Sequence, residues 1–135
     1  MDFYNPTIKL FANGEVDTAN LKVVLLSGYT FDATETGLTA INAAEVSGNG
    51  WTAGGETIAG VTVTVTTTDD STLAGTNISV TATGGDIGPA TALAIVDATN
   101  SNPLFHYTFA SSQTAGDGTN FDVNWNASGI VTWAN

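Results

Sequence analysis

The chain has 135 residues, with thirteen acidic residues against two lysines and no arginine, for a formal charge of −11. It has no cysteine, which excludes disulfides, thiolate chemistry and Cys-ligated metals. The scarcity of basic residues argues against nucleic acid and anionic membrane surfaces as partners, since both are held by clustered Lys and Arg.

The length fits one domain over residues 1–135, with 1–19 as an N-terminal arm or extra element. The opening MDFYNPTIKLF lacks a basic region followed by an apolar core, so no secretory leader is read there. Asn5 and Pro6 fit a helix start, with Gly14 as its stop. Residues 7–12 also fit a strand ended by the favoured hairpin dipeptide Asn13-Gly14. LKVVLL at 21–26 is uniformly apolar apart from Lys22 and suits a strand buried on both faces. Within 36–45, Leu38, Ile41 and Ala44 lie near helical spacing, enough for about two turns.

The stretch 45–58, EVSGNGWTAGGETI, places Gly48, Gly50, Trp51, Gly54 and Gly55 within eight positions. A dinucleotide-binding turn needs G-x-G-x-x-G between a strand and a helix; here the last interval is one residue too long and a strand follows. A phosphate loop needs Lys after its last glycine, and Gly55 is followed by Glu56. The five residues are therefore read as a structural or contact loop, with the glycines supplying positive φ and Trp51 packing against the sheet or a partner.

VTVTVTT at 61–67 alternates without a break, which predicts a strand with valines inward and threonines outward. Residues 68–75 read as a polar turn, and 77–82 as a second alternating strand. ATALAIVD at 90–97 matches the buried type, LFHYTFA at 104–110 is aromatic and β-favouring, and Phe121, Val123 and Trp125 alternate along 121–126. Residues 127–129 are short enough to join 121–126 and 130–133 as a hairpin. Seven or more strands and at most one or two short helices predict an all-β antiparallel β-sandwich, jelly-roll-like or immunoglobulin-like.

Candidate chemistry is sparse. His106 is the only histidine, lies in an aromatic strand, and no G-x-S-x-G elbow accompanies it, so a strand histidine is the preferred reading. Asp69, Asp70, Asp117 and Asn120 are oxygen donors in expected loops, the ligand type calcium takes, but no EF-hand spacing is present and solvated turn acids explain them. Trp51, Trp125 and Trp133 are the candidate sugar-stacking rings, with Trp125 assigned to the core face of its strand. No catalytic residue, cofactor or metal is expected.

The segment EVSGNGWTAGG at 45–55 resembles a family of small tailed-phage virion proteins that carry EVSGTGYTAGG, differing at Asn49 and Trp51. The order LKVVLLSGYTFD, the short helix, the glycine motif, ALAIVD, NPLFHYTF and VNWNASGIVTW is also similar, so the resemblance covers the chain from about residue 20 onward. Where that family has Lys after the double glycine, this chain has Glu56, and no ionic contact is carried over to that position.

The resemblance implies a virion structural protein, in the first place a capsid decoration or cement protein. Its partner would be the major capsid protein on the outer shell, and it would act as a dimer or trimer. A tail or head-fibre component and a carbohydrate-binding module are the alternatives.

Overall fold

The computed structural model describes residues 1–65 and 70–134. Its main sheet is built on β2 (Leu21–Leu26), β8 (Ile87–Asp97) and β9 (Asn102–Ala115), with β1 (Asp2–Phe3) beyond β9 and both β3 (Glu45–Val46) and β4 (Glu56–Thr57) along the far edge of β2. All pairings are antiparallel. A second layer comprises β5 (Thr62–Val65), β6 (Ser71–Ala74) and β11 (Val131–Trp133) in one sheet, and β7 (Ile78–Thr81) with β10 (Asn120–Val123) in another. The molecule is an all-β antiparallel sandwich carrying two short helices, α1 (Thr7–Ala12) and α2 (Thr39–Ala43).

β2 is buried on both faces, as its uniform hydrophobicity predicts. Leu21, Val23 and Leu25 join Ile95, Phe105, Leu73 and Phe121 in the core between the layers. Val24 and Leu26 join Ala92, Ala94, Val96 and Tyr4 on the opposite face, covered by Ile41 of α2 and by Tyr29 and Phe31. The N-terminal segment is an added element of this sheet. β1 pairs with β9, and the Thr7 hydroxyl donates to the Leu104 carbonyl at 2.7 Å. Residues 7–12 form the helix. Gly14 at φ 69° ends it, with Gly14 N–H donating to Phe11 and Glu15 N–H to Leu10.

Three expectations fail. The valines of 61–65 do not point inward: Val63 is 49 % and Val65 78 % exposed, because β5 pairs with β6 and runs out past the core. Only Val61 packs against it. Thr66 and Thr67 lie outside the described residues. Residues 70–75 are no turn; they contain β6, whose Leu73 is fully buried. Strands β10 and β11 do not form a hairpin with each other. Gly129 N–H does close a tight turn onto Asn126 C=O at 2.8 Å, but β10 then pairs with β7 and β11 with β6. Gly129 sits at φ 106° against the Leu73 carbonyl, and that turn passes the chain between the two small sheets.

Candidate functional site

The glycine stretch is a pair of consecutive turns that drive Trp51 into the core. Asn49 (φ 53°) and Gly50 (φ 109°) are the two central residues of a hairpin turn closed by reciprocal bonds between Gly48 and Trp51, at 2.8 and 3.0 Å. Positive φ at both positions is what a type I′ turn requires, and Asn-Gly supplies it. The Asn49 amide donates to the Asp86 carbonyl at 2.7 Å, locking the turn onto the start of β8. A Cβ on Gly50 would stand 2.5 Å from the Thr81 carbonyl, so backbone packs directly on backbone there. Trp51 follows at 2 % exposure, edge-on to Phe121 with centroids 5.4 Å apart. Its indole Nε1 has no hydrogen-bond partner among the described residues.

The second turn spans 52–55. Gly55 N–H donates to Thr52 C=O, Thr52 N–H to the Glu56 carboxylate at 2.7 Å, and Gly54 N–H to the Glu45 carboxylate at 2.6 Å. Gly55 (φ 92°) lies against β2, where a Cβ would stand 2.5 Å from the Val23 carbonyl. Gly48 and Gly54 have open space around them and serve through their positive φ alone. The N–H groups of Gly48, Trp51, Thr52, Gly54 and Gly55 are thus all consumed internally, and two carboxylates occupy acceptor positions that an anion would need. The loop is a folding device.

His106 is 2 % exposed, stacked on Phe31 with centroids 5.0 Å apart, and neither ring nitrogen has a hydrogen-bond partner among the described residues. Its Nδ1 stands 3.6 Å from the Asp2 carboxylate. Burial holds its pKa below the ordinary value against the opposing pull of Asp2. Beside it, the Tyr4 and Tyr29 hydroxyls lie 2.8 Å apart and Tyr29 donates to Glu35 at 2.7 Å. Burial, foremost, pushes Tyr29 up to about 12.

The candidate oxygen ligands are engaged with the chain. Asp117 accepts from Gly84 N–H and its own N–H donates to Asp86. Asn120 bonds Thr81 and Ser79. Asp69 lies outside the described residues, and no group of three His, Cys, Asp or Glu side chains placed to hold a metal exists among the described ones. No helix among them is long and apolar enough to cross a membrane.

A buried carboxylate that sequence reasoning missed is Asp97, fully buried where β8 ends. It accepts from Asp17 N–H, Thr99 N–H, Asn100 N–H and the Asn100 amide at 2.7–3.2 Å, and so ties the N-terminal segment to the β8–β9 turn. The polar turn TNSN after ALAIVD was the available signal, since Asp before such a turn caps backbone N–H groups.

Two surfaces remain. The first is the exposed β5 edge. The second is a groove of about 740 Å³ between β9 and β10, floored by Leu93, Phe121 and Ile130 and walled by Tyr107, Phe109 and Trp125. Tyr107 pairs directly with Leu93 and therefore shares the inner face of the main sheet, yet is 46 % exposed because the second layer stops short of it. Trp125 is pinned by its N–H to Asn77 and its Nε1 to the Thr76 carbonyl, both 2.9 Å. Trp51 and Trp133 lie elsewhere: Trp133 is half-buried against Phe11 and Phe105. The three rings form no common platform.

No protein-family model matches this chain, and neither does any curated protein or solved structure.

Proposed function

We propose that the chain is a structural protein of a tailed-phage virion. In this reading it is a decoration or cement protein that sits on the outer capsid surface, bridges major capsid subunits and acts as a dimer or trimer. The observation that carries the reading is β5. All four of its residues are exposed, Val63 and Val65 among them, and the chain from Thr57 to Thr68 bears no charge in a protein of net −11. An open, uncharged, β-branched edge is a liability in an isolated molecule and an asset in one that docks. The resemblance of the segment at 45–55 to phage virion proteins supplies the kind of partner. The loop that carries the resemblance acts by shaping the fold, so contact falls to other surfaces.

The test is particle stability. Particles lacking the protein lose their DNA at a lower temperature than complete ones, because many modest contacts add through effective concentration. Attachment survives salt near 1 M, where the Debye length is about 3 Å, since the β5 contact is apolar. Equal heat resistance of stripped and complete particles would remove the cementing role.

A further inference from the structure

The groove between β9 and β10 has a chemistry of its own. Its size falls within the roughly 300–1,000 Å³ of small-ligand sites. Aromatic side chains on two walls stand above an apolar floor, and Gln113, Asp122 and Asn124 line the same opening. Neither lysine lines it: Lys9 belongs to α1 and Lys22 to β2.

We propose that this groove binds a neutral oligosaccharide. A sugar ring presents an apolar C–H face, which stacks on aromatic rings, and hydroxyl edges, which need both donors and acceptors. Tyr107, Phe109 and Trp125 supply the first; for the second, Gln113, whose amide nitrogen is already held by Ser111, and the Asp122 carboxylate offer acceptors, and the Asn124 amide offers both a donor and an acceptor. The charge decides the class within sugars. A groove lined by the Asp122 carboxylate and by neither lysine, with the Met1 end of the chain at its edge and a −11 chain around it, disfavours sialylated, uronic or phosphorylated glycans and accepts uncharged ones.

The site is held in place before any ligand arrives. Trp125 is fixed by its two hydrogen bonds. Between β7 and β10, Thr81 donates to Asn120, Asn120 donates to Ser79, and Ser79 donates to Asp122, a ladder that orients the carboxylate. Rings and polar groups positioned in advance lose little freedom on binding. This inference is independent of capsid attachment. It is measured on the isolated protein, and neither result bears on the particle experiment.

The full chain is titrated with cellohexaose, maltohexaose and chitohexaose, with sialyllactose and hexalysine as comparators, by calorimetry and tryptophan fluorescence. The expected result is saturable millimolar or tighter binding of at least one neutral hexasaccharide, with a fluorescence change from Trp125 and no response to sialyllactose. Tyr107→Ala, at an exposed position, weakens it about tenfold, equivalent to about 1.4 kcal/mol, while the melting temperature stays put. Asp122→Asn weakens it less. The proposal is overturned by no saturable binding of any of the three sugars, by unchanged affinity in both variants, or by Tyr107-dependent binding of hexalysine alone, which would make the groove a peptide site.

Discussion

Strands β2 and β5 are both short, both rich in aliphatic side chains, and end in opposite surroundings. β2 has β8 on one edge, β3 and β4 on the other, and a core on each face. β5 has β6 on one edge and solvent on both faces. Alternation is the stronger strand signal of the two, yet the perfectly alternating VTVTV is the exposed one and the irregular LKVVLL is central. Period two says only that a strand presents two different faces; it does not say that a second layer reaches the apolar one. Uniform hydrophobicity is more informative, because a strand with no polar face has no stable place at the surface.

The largest expected effect tests the inner layer beside β2. Trp51→Ala removes a fully enclosed ring and lowers stability by about 3–5 kcal/mol, read as a fall in denaturant midpoint. Trp51→Phe costs less than half of that, because it also sheds the indole N–H that is buried without a partner among the described residues. Equal losses in the two variants would mean that the N–H is satisfied and that the core is built differently from this account.

An intermediate effect tests the outer layer. The buried His106 has its pKa held below the ordinary 6.5, chiefly by desolvation and also by the nearby amino terminus, with Asp2 opposing. The unfolded chain therefore takes up a proton first as pH falls. The neutral histidine's contribution is complete above the unfolded value, is lost as pH drops through 6.5 toward the folded pKa, and stays lost below it. His106→Gln, which does not titrate there, flattens that part of a stability-against-pH curve. A wild-type curve rising toward acid across the same window would contradict the neutral, buried assignment.

The smallest effect tests the other half of the comparison. Val65→Thr changes stability by no more than about 0.5 kcal/mol, since the side chain is 78 % exposed. The same substitution made together with Val63→Thr is expected to weaken attachment to particles under the proposed function. A loss of several kcal/mol in the isolated protein would place β5 inside the fold and end the contrast with β2.

What was legible in the sequence depended on how local the cause was. The doubly buried β2, the alternating β7, the short α2 under Ile41 and the stop at Gly14 follow from residue type and spacing within a few positions. The dipeptide Asn-Gly shows where this ends. It occurs at 13–14 and at 49–50, and fixes positive φ at Gly14, Asn49 and Gly50. At the first site the flanking residues are helical and the glycine ends a helix; at the second it closes a hairpin. The reading of 45–55 as a structural or contact loop rested on the absence of a lysine and the wrong spacing, and from these the two glycines that carry backbone contacts, Gly50 and Gly55, could not be told from Gly48 and Gly54. That distinction depends on carbonyls of Thr81 and Val23, far away in sequence. The Asp97 node and the β9–β10 groove were invisible for the same reason: each is assembled from segments that meet only once the sheets have formed.

The strand order has a consequence during synthesis. β2 lies between β8 and the short β3 and β4, so its long partner is β8, and the closest register pair, Leu26 with Ala92, is separated by 66 residues. LKVVLL therefore leaves the ribosome well before the strand that covers it along its whole length. At translation rates of about 5–20 residues per second the wait is on the order of 3–13 s. Throughout that interval the most apolar segment in the N-terminal half has only β3 and β4, two residues each, to pair with. A nascent chain arrested near residue 80 exposes this segment and binds a holdase chaperone, whereas one arrested after β9 has emerged does not.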